Sequence, residues 1–260
     1  MTEKSLLLIL GNQLFPVESI QRAGTNFVFM AEDLGLCTYE KHHKLKILMF
    51  LAAMREKRDE LLALDGEVLA AMADMLGFSR DFTNLSDRTR QHKGRIQEWL
   101  WDDDRSVFAN RLVNGKFVDA LAPTSFFPMV AGAATAGQVE ALVTQYLKPA
   151  NKFGGKYTLP SAARDQPAYK DNMYWRGRVW APLNFWVHQG LLRYERQNDA
   201  EDLAHKSRSM FQAHWDNRHC SENYSAIDGD INDQADTDHF YTWGALLPAL
   251  SLFNLLFEGR

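Results

Sequence analysis

The sequence predicts a mainly helical protein that is preceded by a short α/β segment. Two short apolar runs, in SLLLILGNQL and TNFVFMAEDL, have the length and content of buried β-strands. Beyond Leu64, apolar residues recur at the spacing of amphipathic helices, and Gly- and Pro-containing stretches separate the helical patterns. The 260 residues are 46% hydrophobic and 24% charged, which is enough for one or two domains with a sizeable core.

The first 60 residues predict a β-α-β-α segment. The connection between the two strands is a loop or a helix, and residues 40–62 have apolar side chains at helical spacing with charges opposite. Because each strand is apolar enough to be covered on both faces, the pair is typical of a parallel sheet. We therefore expect an α/β fragment over residues 1–60 and a helical region over residues 61–260.

The helical region contains six predicted helices. Gly77 closes the first of them, and Thr135 is the predicted N-cap of the third. The six segments are GEVLAAMADMLGF, LSDRTRQHKGRIQEWLW, TAGQVEALVTQYL, RVWAPLNFWVHQGLLRYERQ, DAEDLAHKSRSMFQAHW and HFYTWGALLPALSLFNLLF. We interpret them as an array of helix pairs whose connecting loops carry the unusual residues.

Charge and cysteine content exclude several classes of protein. The net charge of −4 gives no basic surface for nucleic acid. Cys37 and Cys220 lie far apart, so we expect two free thiols and no zinc site. The apolar run after Lys4 is too short for a signal peptide, and no run approaches 18 apolar residues. We expect a cytoplasmic protein that does not enter a membrane.

Seven sequence blocks follow one another between residues 62 and 258. They are GEVLAAMADMLG, IQEWLWDDDRSVFANRLVNGKF, LAPTSFFPMVAGAAT, FGGKYTLPS, YKDNMYWRGRVWAPLNFWVHQGL, CSENYSAIDG and DHFYTWGALL. In this order they resemble the catalytic domain of glycoside hydrolase family 63, the mannosyl-oligosaccharide glucosidase group, which includes bacterial α-glucosidases and mannosylglycerate hydrolases and is similar to trehalases. The resemblance implies a partial (α/α)6 toroid, the C-terminal half of a twelve-helix barrel. It also implies a small carbohydrate or glycoside as ligand and no cofactor.

The N-terminal segment has a different resemblance. LLLILGNQL, FVFMAED and YEKHHKLKILMFLAAMR, over residues 5–58, are similar to the start of cryptochrome and photolyase-related proteins. Those proteins bind flavin in a helical C-terminal region that has no counterpart here, so photochemistry is not implied. The chain would join the opening of one protein to the latter half of another, by gene rearrangement or by deliberate fusion.

The stretch YWRGRVW has the residue types of a sugar site. Tyr174, Trp175 and Trp180 offer aromatic faces for the apolar C–H faces of sugar rings, and Arg176 offers strong hydrogen-bond donors for hydroxyls. Gly177 permits a tight turn or a close approach to the ligand. The alternative for Trp180 is an ordinary core aromatic residue, whereas for residues 174–177 the resemblance favours the sugar site.

Neighbouring residues extend this candidate site. We expect Arg178 to begin the helix that presents Asn184 toward the interior, with Phe185 and Trp186 as core aromatics. Asp171 is either a ligand of sugar hydroxyls or an anchor of its loop. Two further aromatic residues border the pocket in the family or pack in the core, and these are Tyr241 and Trp243.

The resemblance places the general base in SENYSAIDGD. Inverting glycosidases use one carboxylate to activate water and a second carboxylic acid to protonate the leaving oxygen. The glutamate of the family's ENY-type motif carries over to Glu222, and Asn223 and Tyr224 are placed to orient its carboxylate or the water. Without the resemblance, Glu222 would be a solvated residue of a polar loop.

The general acid of this family has no counterpart in the chain. It is an aspartate of an Asp-Asn-Ser motif upstream of GEVLAAMADMLG, and no such motif occurs. Asp33 and Asp59, the aspartates of the first 60 residues, lack that context. We therefore expect impaired hydrolysis.

Several other patterns favour ordinary structural roles. DGDINDQADTD begins like a calcium loop but has Asp233 and His239 where Gly and Glu are needed, so we expect a solvated acidic loop. His42 and His43 point apart on a helix, and WDDDR at 101–105 is a charged exit from a helix. We expect no metal or nucleotide site.

Three functions remain from the sequence: an α-glycosidase, a carbohydrate-binding remnant without turnover, and a non-functional fusion product that packs poorly. A half toroid would leave apolar helix faces uncovered, so we also expect self-association.

Overall fold

The computed structural model describes the two N-terminal strands and most of the chain from residue 70 onward. The described residues are 6–9, 27–30, 67, 70–234 and 237–257. The chain divides into two compact units, Met1–His92 and Lys93–Arg260. The boundary predicted near residue 60 lies outside the described residues and stays a prediction.

The two predicted strands of the first unit are confirmed. Strands β1 (Leu6–Ile9) and β2 (Phe27–Met30) pair in parallel, with Leu6 opposite Phe27 and Ile9 opposite Met30. The helix predicted over residues 40–62 and the connection between the strands lie outside the described residues, as do Asp33, Asp59, His42 and His43.

The first predicted helix of the helical region, α1 (70–75), ends at Gly77 as expected. Gly77 has φ +74°, a left-handed conformation that glycine adopts readily. Helix α2 (Ser79–Leu100) follows at once and begins earlier than the predicted start at Leu85.

The WDDDR segment differs from its predicted role as a charged exit from a helix. Strands β3 (Trp101–Asp102) and β4 (Val107–Phe108) form an antiparallel hairpin there. Asp102 is buried and accepts a hydrogen bond from Arg105 Nε at 2.7 Å, and Arg105 Nη2 donates to the carbonyl oxygen of Val118 at 3.1 Å. Pairing between Asp102 and a cation is what permits the carboxylate to be buried.

Five further helices follow in the described part of the chain. They are α3 (Phe127–Val130), α4 (Ala136–Leu142), α5 (Ala181–Arg193), α6 (Gln197–Gln212) and α7 (Leu246–Phe257). Thr135 caps α4 as predicted, through a reciprocal capping box with Gln138. A π-helical turn over Val143–Leu147 continues α4, and α3 was not predicted. The mainly helical fold is thus confirmed.

The core of the second unit is built around α5. This helix packs against α3, α6 and α7. The large core cluster includes Met129, Leu142, Leu191, Leu203 and Leu250. A smaller cluster includes Val179, Met210, Phe211, Tyr224 and Leu247, and it lies beneath the loops of the candidate site. None of the helices within the described residues has the length and apolar content needed to cross a membrane.

Candidate active site

The YWRG stretch forms a tight turn whose tip carries two aromatic side chains. Met173 and Arg176 exchange backbone hydrogen bonds of 3.1 and 2.8 Å, so Tyr174 and Trp175 are the two central residues of the turn. Tyr174 has φ +48°. Its side chain is 50% exposed and that of Trp175 is 39% exposed, which leaves both rings accessible to a ligand.

The structure brings five of the six predicted aromatic residues of the site into one cluster. Trp175 stacks on Trp180 at 3.7 Å between ring centroids, and Tyr174 lies edge-on to Trp180 at 5.0 Å. Trp243 contacts Trp180 at 6.1 Å and Tyr241 at 5.2 Å. Trp180 is fully buried and donates from Nε1 to the carbonyl oxygen of Tyr174 at 3.0 Å. It therefore supports the exposed rings from below.

Polar neighbours fix this turn to the rest of the loop. Arg176 Nε donates to Asp171 Oδ2 at 2.5 Å, which fits the loop-anchor interpretation of Asp171. Gly177 has φ +103° and donates its backbone N–H to Ser161 Oγ at 3.0 Å. A Cβ at Gly177 would collide with the backbone of Tyr169. The close approach that Gly177 permits is therefore to the protein's own backbone.

The segment 220–224, which contains Glu222, lies between the two aromatic loops, which are the YWRG loop and the loop that carries Tyr241 and Trp243. On one side Val179 and Tyr224 exchange backbone hydrogen bonds of 2.8 and 3.0 Å, which joins the segment to the YWRG loop. On the other side Glu222 N–H donates to the carbonyl oxygen of Asp238 and Tyr241 N–H donates to that of Cys220, both at 2.8 Å. Backbone hydrogen bonds therefore hold the candidate base between the two loops that carry the aromatic cluster.

Glu222 is half-buried, and the side chain of Asn223 contacts its carboxylate. Asn223 is buried, and its Nδ2 donates to Glu222 Oε2 at 3.4 Å. This contact agrees with the predicted orienting role of Asn223, which stays a prediction.

Tyr224 is turned into the core. Its side chain is buried, which raises the pKa of the phenol, and its hydroxyl accepts a hydrogen bond from Ser221 N–H at 3.3 Å. The phenol therefore stays protonated and braces the backbone next to Glu222. Cys220 is a free thiol, as predicted for it, and Cys37 lies outside the described residues.

The role that the sequence indicated for Arg178 is wrong. Helix α5 begins at Ala181, with Trp180 in the N-cap position, and Pro182 is in its first turn. Arg178 precedes the helix, is fully buried, and donates from Nη1 to Asp233 at 2.8 and 2.9 Å. Its Nε donates to Asn223 Oδ1. The one sequence feature that could have indicated the burial of Arg178 is the apolar run Val179–Ala181 that follows it.

Asn184 faces the interior, and its side-chain amide forms hydrogen bonds with backbone groups. Its Oδ1 accepts from Leu159 N–H at 2.6 Å, and its Nδ2 donates to the carbonyl oxygen of Trp180 at 2.9 Å. The residue is fully buried. Asn184 thus anchors the loop at Leu159, and the predicted contact with a sugar stays a prediction.

The acidic loop binds its own backbone. Asp230 Oδ1 accepts from the backbone N–H groups of Ile231 at 2.7 Å and Asn232 at 3.0 Å, and the Asn232 backbone bond is the largest cause of a lowered pKa for Asp230. Asp233 is committed to Arg178. Across the residues that the structure describes, no three His, Cys, Asp or Glu side chains are grouped to hold a metal ion.

A helical array that carries an aromatic cluster and a carboxylate on adjacent loops is typical of a carbohydrate-active enzyme. The sequence matches the model of the mannosylglycerate hydrolase MGH1-like glycoside hydrolase domain over residues 59–244. The chain therefore belongs to this glycoside hydrolase family. Residues 7–107 also match the model of the deoxyribodipyrimidine photo-lyase-related proteins.

Curated and solved relatives agree with this family. The mannosylglycerate hydrolase of Thermus thermophilus is 28% identical over 156 residues, which are 53% of this chain and 37% of that protein. The cytosolic neutral trehalase of Emericella nidulans is 28% identical over 122 residues, 46% of this chain and 16% of that enzyme. The crystal structure of the Thermus thermophilus family 63 hydrolase with Tris and D-glycerate aligns at TM-score 0.60 and 21% identity, covering 79% of this chain and 51% of that one. The fold is thus that of family 63 toroids, of which this chain spans about half.

Proposed function

We propose that this chain is an inverting α-glycosidase with Glu222 as general base. The observation that carries the proposal is the position of Glu222 on the segment that joins the two aromatic loops. In the reaction, the Glu222 carboxylate removes a proton from water. As the water oxygen bonds to the anomeric carbon from the face opposite the leaving group, the bond from that carbon to the leaving oxygen breaks, which inverts the configuration. The leaving oxygen takes its proton from solvent, because the chain has no counterpart of the family's general acid.

The aromatic cluster supplies the binding surface in this proposal. The accessible faces of Tyr174, Trp175 and Trp243 stack on the C–H faces of a sugar, while buried Trp180 keeps them in place. Arg176, held by Asp171, donates to hydroxyl or carboxylate oxygens. Small glycosides fit this set, and mannosylglycerate is the first to test because relatives are named for its hydrolysis.

Hydrolysis of ordinary glycosides is impaired in this proposal because the chain lacks the family's Asp-Asn-Ser motif. Loss of a positioned general acid typically lowers the rate by about 10²- to 10⁴-fold. The missing proton donor favours a second candidate function, a carbohydrate-binding remnant without turnover.

The presence of two family matches in one chain, at 7–107 and 59–244, supports a third candidate, a non-functional fusion of a photolyase-related start to half of a hydrolase. We assign residues 1–60 to the first parent and 61–260 to the second. A cytoplasmic location is proposed with the cytosolic trehalase as support.

Glycosyl fluorides test the proposed base, because fluoride leaves without a proton. We expect the chain to release fluoride from α-glucosyl or α-mannosyl fluoride, and Glu222→Gln to abolish the release. Glu140→Gln is the matched control, since Glu140 lies on α4 and pairs with Arg196. Absence of turnover of both fluorides would exclude the base assignment, and binding without turnover would select the remnant.

A further inference from the structure

A buried arginine lies next to the candidate base. Arg178 has no exposed surface, and an arginine in the interior is costly unless its charge is paired. Asp233 supplies the pairing through both carboxylate oxygens, at 2.8 and 2.9 Å from Nη1. Nη1 also lies 3.5 Å from the carbonyl oxygen of Asn172, and Nη2 donates to the carbonyl oxygen of Asp230 at 3.4 Å. The guanidinium is therefore fixed on several sides.

The fixed guanidinium determines how the Asn223 amide points. Arg178 Nε is a donor and has no acceptor capacity, so the amide atom that faces it must be the oxygen Oδ1. Thr237 Oγ1 approaches the same oxygen at 3.4 Å. The amide nitrogen is consequently directed the other way, to within 3.4 Å of Glu222 Oε2. The chemistry of Arg178 thereby excludes the flipped amide, which would place an oxygen against the carboxylate.

We propose that Arg178 is a positioning residue for the general base, acting through the amide of Asn223. The proposal rests on the function proposed above for Glu222. A hydrogen bond donated to one carboxylate oxygen favours the ionised form and limits the rotation of the side chain. The other oxygen is then presented in a constant direction to the water. Asp233 is part of this arrangement, because its negative charge balances that of Arg178 and so permits the burial of the guanidinium.

Two variants separate positioning from folding. Arg178→Lys keeps the positive charge but loses the planar fork that contacts Asp233 and Asn223 together. Arg178→Met combined with Asp233→Asn removes both charges at once, so that neither is left buried alone. Arg196→Lys is the matched control, because Arg196 likewise joins two side chains, the carboxylates of Glu140 on α4 and Asp199 on α6.

The first readout is steady-state fluoride release over a range of pH. We expect both Arg178 variants to lower kcat by about 10- to 100-fold, with KM changed less than about twofold. The acid limb of the pH profile should move to higher pH, because Glu222 has lost a donated hydrogen bond. Native kcat and an unmoved acid limb in variants that unfold at the native temperature would overturn the proposal. So would an equal loss in Arg196→Lys.

The second readout does not depend on activity. Side-chain ¹⁵N–¹H signals of Asn223, assigned by their loss in Asn223→Asp, report the orientation of the amide. We expect these signals to shift in both Arg178 variants and to stay in place in Glu140→Gln. If the native chain releases no fluoride, the proposed function fails while this shift still tests the contact between Arg178 and Asn223. Unchanged signals would overturn the inference.

Discussion

The indole of Trp175 stacks on that of Trp180, with ring centroids 3.7 Å apart and planes inclined by 10°. Trp180 is fully buried, whereas Trp175 keeps an exposed face. The pair thus divides two tasks between adjacent rings. The inner ring belongs to the packed core, and the outer ring is accessible to the sugar that we propose as ligand.

This division predicts different consequences for two alanine substitutions. Trp180→Ala should lower the free energy of unfolding by about 3–5 kcal/mol, because it removes a fully buried aromatic side chain. Trp175→Ala should cost much less stability and instead weaken sugar binding. Urea unfolding and calorimetric titration measure the two effects. Equal stability losses in both variants would show that Trp175 is only a core residue.

Gly244 is predicted to be required for the backbone next to Glu222. A Cβ at this position would lie 2.5 Å from the carbonyl oxygen of Ser221 and 3.0 Å from Cys220 Sγ. Gly244→Ala should therefore destabilise the fold by about 1–3 kcal/mol and reduce any fluoride release. Gly137→Ala is the control, since nothing lies within 4 Å of its Cβ and a helical alanine should stabilise by about 0.5–1 kcal/mol. Equal stability of the two variants in thermal unfolding would contradict this account.

Local sequence signals predicted the parts of the fold that local contacts determine. Thr135 was predicted as an N-cap because threonine is preferred directly before a helical pattern, and the structure adds the reciprocal bond with Gln138. Gly77 was identified as a helix end because glycine tolerates a positive φ. The two strands Leu6–Ile9 and Phe27–Met30 were recognised from their apolar content.

Contacts between distant residues were beyond these signals. Arg178 was placed at a helix start because nothing near it in the sequence shows its pairing with Asp233, which lies 55 residues further along the chain. Residues 101–105 were predicted to be a charged exit from a helix, because a run of charges does not show that Asp102 is buried or that Arg105 reaches the carbonyl oxygen of Val118. The aromatic residues of the site were predicted through the family resemblance, and their stacking required the structure.

His188 predicts a pH dependence of stability. Burial lowers the pKa of this histidine, and its Nε2 lies 2.7 Å from Asn254 Oδ1. As the pH falls through the ordinary value of 6.5, the unfolded chain gains a proton at His188, while the folded chain gains it only at lower pH. The free energy of unfolding should therefore fall with decreasing pH below about 6.5, by up to about 1.4 kcal/mol per pH unit.

Urea unfolding between pH 5 and 7.5 measures this slope. His188→Gln should flatten the slope, since glutamine keeps a polar contact to Asn254 but does not titrate. His205→Gln, at an exposed position of α6, should leave the slope as it is. A slope that persists in His188→Gln would assign the pH dependence to other groups.

Self-association of the chain stays a prediction that light scattering can test. Apolar side chains around the α1–α2 junction are exposed, with Met75 at 86% and Phe78 at 57%. Exposed apolar patches of this kind favour association. We expect a dimer or larger species that dissociates in Met75→Glu combined with Phe78→Glu. Val113→Glu, at an exposed apolar position elsewhere, should not change the mass, and a monomeric native chain would contradict the prediction.

Thermal unfolding with and without ligands tests most directly whether these loops form a sugar site. The purified chain would be heated alone and with millimolar mannosylglycerate, glucose, trehalose and glycerol glucoside. We predict one cooperative transition that moves to higher temperature with at least one of these compounds, because a ligand of the native state stabilises it. The shift should disappear in Trp175→Ala. A cooperative transition that none of the four compounds moves would contradict the proposed site.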